Sequence, residues 1–165
     1  MQLYPWTLWL HIFFATLFFF VHGTAMAIAF RLPVEKDPKT LHALLNISGI
    51  TFMPMGVSML GLLVTSLYMG FAAGWIKQGW WWISLVLMLG FIVWMTWHSR
   101  AIYSPIRKAL GLPYMTGFGT ENPAEEPASM QEVERLITKS NPRLLAWAGI
   151  IVTAVVLWFM TFKPF

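Results

Sequence analysis

Two histidines, His11 and His22, are the residues best suited to chemistry, because they lie in an apolar stretch without a charged side chain. The stretch, residues 6–30, reads WTLWLHIFFATLFFFVHGTAMAIAF. On an α-helix their spacing leaves the two imidazoles about 20° apart on one face and about 16 Å apart along the axis. Neutral imidazole is a suitable axial ligand for a haem iron or a pigment metal. The pair therefore predicts cofactor-binding residues, with haem b or a chlorophyll-type pigment as the candidate cofactor.

The depth of each residue in its span decides which second ligand His22 could have. His22 lies about 13 Å from the inner end of its span, by helix rise. His42 and His98 fall at that end, so pairing either with His22 requires an offset of around 10 Å, which helix tilt does not easily remove. Met53 and Met55 come closer to His22 in depth. They are therefore the candidate partners for His/Met ligation of a b-type haem.

Each histidine also has a purely structural interpretation, which the sequence leaves open. His22 can hydrogen-bond a hydroxyl of a neighbouring helix, such as that of Ser48 or Thr51, and serve packing. His11 lies close to two tryptophans, and aromatic side chains of this kind are typical of a membrane interface. The histidines at the helix ends are suited to head-group or capping contacts.

The composition of the whole chain is typical of an integral membrane protein. Only 11% of its 165 residues are charged and 58% are hydrophobic, against about 25% charged in soluble domains. The uncharged spans run over about 6–30, 43–71, 80–98 and 144–162. The sequence predicts an all-α polytopic membrane protein, with four transmembrane helices bundled in a single domain over residues 1–165. Pro54 predicts a kink in the second span, because proline removes a backbone donor and clashes with the preceding turn.

The long connection, residues 99–142, carries its own signals. Its basic first part predicts a segment along the membrane surface that stops at Gly111. The following stretch, GLPYMTGFGTENPAEEP, is rich in Gly and Pro and predicts irregular structure. Ser129 and Glu132 match a capping box, which predicts a short amphipathic helix.

The basic residues indicate orientation. Nine of the eleven Lys and Arg residues lie in the first and third connections, and two lie on the opposite side. The positive-inside rule then places the long loop in the cytoplasm and both termini on the non-cytoplasmic side of the cell (inner) membrane. The first span lacks a basic n-region and a cleavage site, so we expect it to remain in the mature protein.

The composition argues against several classes of protein. The net charge is +4, but the basic residues adjoin the spans, which argues against nucleic acid as a partner. The absence of cysteine excludes disulfides, iron–sulfur clusters and covalently attached haem. No Asp, Glu, Lys or Arg lies inside a span, which disfavours pumps and intramembrane hydrolases. The sequence therefore predicts a protein that is not an enzyme.

Small residues mark the faces through which membrane helices pack. They are Ser66, Gly70 and Gly74, Gly23 and Ala27, and Ser48, Gly49, Gly56 and Gly61. These faces predict a non-catalytic accessory or scaffold subunit of a larger membrane assembly, with electron transfer as its setting and with membrane lipid and other membrane subunits as partners. The alternative is a protein that binds b-type haem or a chlorophyll-type pigment through His22 and His11.

Residues 8–110 also carry a family resemblance. The LHIFF segment around His11, the HGTAMA segment that begins at His22, the basic loop and the tryptophan-rich turn resemble a group of small predicted integral membrane proteins. That group is distantly similar to the membrane part of copper-resistance protein D. The resemblance implies helical architecture and metal or redox work in the membrane. The chain departs from it in lacking Met-rich outer loops.

Overall fold

The computed structural model describes residues 3–116 and 119–165, and it is all-α with one small hairpin. Its helices are α1 (Leu3–Arg31), α2 (Pro38–Ile50), α3 (Phe52–Ala72), α4 (Gly79–Ala109), α5 (Met130–Ser140) and α6 (Arg143–Phe162). Two antiparallel strands, β1 (Tyr114–Thr116) and β2 (Thr120–Asn122), form the hairpin. Short 3-10 turns cover Leu32–Val34 and Trp75–Lys77. The predicted fold class is confirmed.

Four helical stretches are long and apolar enough to cross a membrane: Leu3–Val34, Pro38–Ala72, Gly79–Ala109 and Met130–Phe162. Helices suit this setting because each backbone donor in hydrocarbon must find its acceptor within the same segment. Length and composition thus give a multi-pass membrane protein.

The second stretch is interrupted where its sequence disfavours a helix. It begins at Pro38, and the carboxylate of Asp37 accepts the backbone N–H of Thr40 at 2.9 Å. Proline fits the first helical position because its missing N–H would have no helical partner there. The helix breaks at Thr51, three residues before Pro54. Since the ring of Pro54 conflicts with the carbonyl four residues earlier, the helical hydrogen bonding is interrupted there, while Thr51 itself keeps a φ of −66° and a ψ of −15° in the right-handed helical region.

The chain divides into two compact units. The first unit comprises Met1–Thr24, Ile50–Phe91 and Ile150–Phe165, and the second comprises Ala25–Gly49 and Ile92–Gly149. Each is described separately below.

In the first unit, two of the predicted small residues receive aromatic rings. A Cβ at Gly61 would lie 2.4 Å from the ring of Phe14, and a Cβ at Gly70 would lie 2.8 Å from the indole of Trp81. By contrast, a Cβ at Gly23 or Gly56 would meet nothing within 4 Å. Gly61 and Gly70 therefore pack within the chain.

The second unit has a continuous hydrophobic core. Its fully buried members come from distant parts of the chain and include Leu32, Leu41, Ile106 and Val133. Val133 belongs to α5, whose amphipathic character was predicted. The predicted cap is also present, because the Ser129 hydroxyl accepts the backbone N–H of Glu132.

Helix α4 differs from its prediction. The helix does not stop near residue 98 but runs unbroken to Ala109, so the basic segment belongs to it. The chain leaves the helix at Gly111, where a stop was predicted, because that residue adopts a φ of 69° and the N–H of Leu112 donates to the carbonyl of Arg107 at 2.9 Å. This is a Schellman-type end, which glycine adopts without steric cost. The Arg107 guanidinium also donates to the carbonyls of Leu45 (2.8 Å) and Pro113 (2.6 Å).

The hairpin corrects the prediction of an irregular segment after Gly111, although residues 117 and 118 of that segment lie outside the described residues. Tyr114 pairs with Asn122 across the two strands. The Tyr114 hydroxyl donates to the carboxylate of Glu125 at 2.5 Å, and Lys108 contacts the same carboxylate at 3.1 Å. These two contacts hold the pKa of Glu125 below its usual value. Three-residue strands are too short to be read from residue pattern alone.

Gly61, which contacts an aromatic ring, and Gly56, which has open space beside it, give a prediction about stability. Gly61→Ala should destabilise the protein by about 1–3 kcal/mol relative to Gly56→Ala, since only the first forces a methyl into the Phe14 ring. Both changes gain the same helix propensity of roughly 1 kcal/mol, so the pair is matched. The measurement is thermal unfolding in detergent micelles. Equal melting temperatures would contradict the contact.

Candidate functional site

The first unit contains a cavity of about 360 Å³ that is lined by residues of α1, α3, α4 and α6. Its polar lining residues are His11, Thr16, Ser66 and Thr153, and the others are aliphatic, aromatic or methionine side chains. An apolar cavity with a few polar groups is the usual form of a small-molecule site. The predicted residue His11 therefore lies in the best candidate site.

A hydrogen-bond chain fixes the imidazole of His11. Its Nδ1 lies 2.8 Å from the Oγ1 of Thr65. The Thr65 hydroxyl in turn lies 2.6 Å from the carbonyl oxygen of Gly61 and 3.2 Å from that of Leu62. A hydroxyl has a single proton, and a carbonyl can only accept, so Thr65 donates to the backbone and accepts from His11. The proton of a neutral His11 thus lies on Nδ1, and Nε2 carries a lone pair.

The hydroxyl groups that line the cavity differ in whether their proton is already donated in a hydrogen bond. Thr16 donates to the carbonyl of Ile12 at 2.9 Å, so its proton is already used. Ser66 is only 9% exposed, and its hydroxyl has no hydrogen-bond partner within residues 3–116 and 119–165. Thr153, which is partly buried, likewise has no hydrogen bond of its hydroxyl in the described residues, so Ser66 is the more deeply buried of two hydroxyl donors that a bound molecule could use.

His22 is the most deeply buried histidine, with 5% of its surface exposed. Its ring stacks on Phe18, with centroids 5.2 Å apart and planes 10° apart. The Nε2 atom is buried without a hydrogen-bond partner in the described chain. The hydroxyl partner expected from Ser48 or Thr51 is therefore not found at Nε2. His22 is also not among the residues that line the cavity.

The predicted methionine ligands do not line this cavity. Met53 is 77% exposed and Met55 is partly buried. The methionines that line the cavity with His11 are Met59, Met88 and Met160, which the depth argument did not select. Met59 lies six residues, about 1.7 helical turns, after Met53 and therefore on a different face of the helix, which a comparison of depth alone does not detect.

The other two histidines have local contacts. His98 stacks on Trp94, with ring centroids 4.3 Å apart, and its Nδ1 lies 3.1 Å from the Trp94 carbonyl oxygen. His42 is partly buried in α2. Across the described ranges, no cluster of three or more His, Cys, Asp or Glu residues could hold a metal ion.

The cavity is a poor match to a tetrapyrrole. About 360 Å³ lies at the lower end of the range for small-molecule sites, roughly 300–1,000 Å³, and suits one ring rather than a four-ring macrocycle. Its lining contains no cationic side chain to meet the carboxylates of a haem. His11 has the lone pair that an axial ligand needs, but the space beside it favours a smaller molecule.

Comparison with known proteins adds no relative. No family model, curated protein or solved structure matches the chain. The functional argument therefore depends on the residues themselves.

The His11 chain predicts a definite tautomer. In nitrogen-15 NMR spectra of labelled protein, His11 should carry its proton on Nδ1, and Thr65→Val should weaken that preference by deleting the nearest acceptor. Thr16→Val is the control, because that hydroxyl bonds only its own helix. A proton found on Nε2 in the unchanged protein would contradict the assignment.

Proposed function

We propose that this protein is a non-catalytic accessory or scaffold subunit that packs against other subunits of a larger membrane assembly, with electron transfer as its setting. In this proposal both termini lie on the non-cytoplasmic side of the cell (inner) membrane, and the basic connections lie in the cytoplasm. Membrane lipid and other membrane subunits are its partners.

The observation that carries the proposal is an exposed row on α3. Met53, Gly56, Leu60 and Val64 follow one another at helical spacing, and all four are exposed. Gly56 lies in a gap between large apolar side chains, with nothing within 4 Å of the position of a Cβ. A small residue in such a row lets the backbone of another helix come close, which is how helices associate in lipid.

The carboxylates outside the spans support a non-catalytic role. Glu35 pairs with Arg31 and Glu132 with Arg135, each at 2.7 Å. Glu125 and Glu134 are also paired with lysines. Four acidic groups are thus engaged by cations at the surface, where ion pairs of this kind mainly shape the local electrostatics.

A pair of bulky substitutions tests the proposal. Gly56→Phe should abolish copurification of a stoichiometric membrane partner after mild detergent extraction, because the ring blocks close approach of a helix. Val86→Phe is the control, since Val86 is 63% exposed in α4, outside that row. A chain that purifies without any stoichiometric partner, or loses the partner equally in both variants, would refute the proposal.

A second candidate function, binding of b-type haem or a chlorophyll-type pigment, is favoured by one observation. The buried Nε2 of His22 has no partner in the described chain, and a metal centre would supply one. Met53 or Met55 would be the second ligand of that metal, and His11, about 16 Å away along the helix axis, would hold a second cofactor stacked on the first. The similarity to the membrane part of copper-resistance protein D, which was predicted from the sequence, also stays a prediction.

The visible absorption spectrum of the purified protein tests this second candidate. A bound tetrapyrrole should give a strong Soret-type band that His22→Ala abolishes and His42→Ala retains, because His42 lies at the end of a helix away from the apolar stretch. A colourless protein, or a band that survives His22→Ala, would exclude His22 as the ligand.

A further inference from the structure

We propose that the cavity of the first unit binds the head group of a membrane-dissolved quinol, that is, a hydroquinone ring with an apolar tail. This site goes beyond the accessory role, because it is formed by one chain and needs no other subunit. It follows from the neutral lining, the two hydrogen-bonding groups and the exposed rim.

The lining selects a neutral aromatic head. No charged side chain lines the cavity, so a phosphate or ammonium head group would be left without a counter-charge in an apolar site. The aromatic side chains of Phe18 and Phe91 also line it, which suits contact with a ring. Met59, Met88 and Met160 supply flexible, polarizable surface that adapts to a ring.

His11 and Ser66 both line the cavity and offer complementary hydrogen-bonding groups to a phenolic hydroxyl. The Thr65 contact leaves His11 Nε2 as an acceptor, and the Ser66 hydroxyl is a donor without a partner in the described chain. A phenolic O–H can donate to the first and accept from the second. An ether or a hydrocarbon at the same place would leave the His11 acceptor unpaired.

The rim indicates that the ligand comes from the bilayer. Three lining residues are also exposed on the outer surface of their helices: Ile12 (57%), Phe19 (45%) and Leu157 (46%). All three are large and apolar, so the opening is suited to acyl chains rather than to water. A tail attached to the ring can leave the cavity through this rim and remain in lipid.

The inferred tautomer distinguishes the reduced from the oxidised ring. A quinone carbonyl can accept from Ser66 but has no proton for His11 Nε2. The site should therefore prefer the quinol. Thr65→Val should weaken this preference, because a His11 released from Thr65 can place its proton on either nitrogen.

The experiment uses the full-length chain in detergent under argon, with decylhydroquinone, its dimethyl ether, decylbenzoquinone and untailed methylhydroquinone as probes. Apparent Kd values come from the concentration dependence of the melting temperature. Decylhydroquinone should bind about threefold to tenfold more tightly than the ether, the size of one hydrogen bond. Ser66→Ala should lose a similar factor for decylhydroquinone, and Thr24→Val should lose none, because Thr24 does not line the cavity and its hydroxyl donates to the Phe20 carbonyl.

Several outcomes would overturn the proposal. Equal affinity for the hydroquinone and its ether would show that the phenolic O–H makes no hydrogen bond in the site. Unchanged binding in a folded Ser66→Ala variant would show that the Ser66 hydroxyl does not donate to the ligand. If Ser66→Ala fails to fold, Thr65→Val takes its place, and an unaltered quinol-to-quinone ratio there counts against the site. Untailed methylhydroquinone binding as tightly as the decyl probe would assign the cavity to a water-borne phenol instead.

Discussion

The lack of hydrogen-bonding partners in lipid is the constraint on which the membrane part of this structure depends. Acyl chains offer neither donors nor acceptors, so each polar side chain within a span must find a partner in the chain. Most hydroxyls meet this condition on their own helix: Thr7, Thr16 and Thr24 donate to the carbonyl four residues earlier in α1, and Ser84 does so in α4. The groups that do not meet it are therefore informative. The Nε2 of His22 is buried and unpaired in the described chain, and the Ser66 hydroxyl lines the cavity without a hydrogen bond of its own there, which is why function is sought beside them.

The second unit follows a different rule, because its interior resembles that of a water-soluble domain. Leu32, Ile106 and Val133 are fully buried, and the amphipathic helix α5 covers the core with one apolar face. Burial of this kind is driven by the hydrophobic effect, which has little force between helices in lipid. Side chains form hydrogen bonds with backbone groups near the ends of its helices. The guanidinium of Arg107 satisfies two carbonyls, and Ser129 caps α5. Small polar contacts thus define where the helices of this unit begin and end.

Much of the architecture could be predicted because its causes are local. Span length, the cap at Ser129 and the stop at Gly111 each depend on a few neighbouring residues and on general helix chemistry. The hairpin could not be predicted, because strands of three residues have no period to detect. The histidine site was predicted in part. His11 was proposed as a cofactor ligand and lies in the cavity lining, whereas the role of Thr65 and the presence of Met59, Met88 and Met160 in that lining depend on contacts between distant segments.

The core of the second unit has a consequence for how the protein is made. Leu32 and Leu41 come from the first quarter of the chain, whereas Leu145 comes from the last quarter, yet all three belong to the same buried cluster. Because the ribosome synthesises these segments in order, Leu32 and Leu41 cannot complete their packing until Leu145 has been synthesised. Until Leu145 emerges, the apolar face of α5 packs against a cluster that is still incomplete. A chain truncated before α6 would lack Leu145 and leave this cluster incomplete.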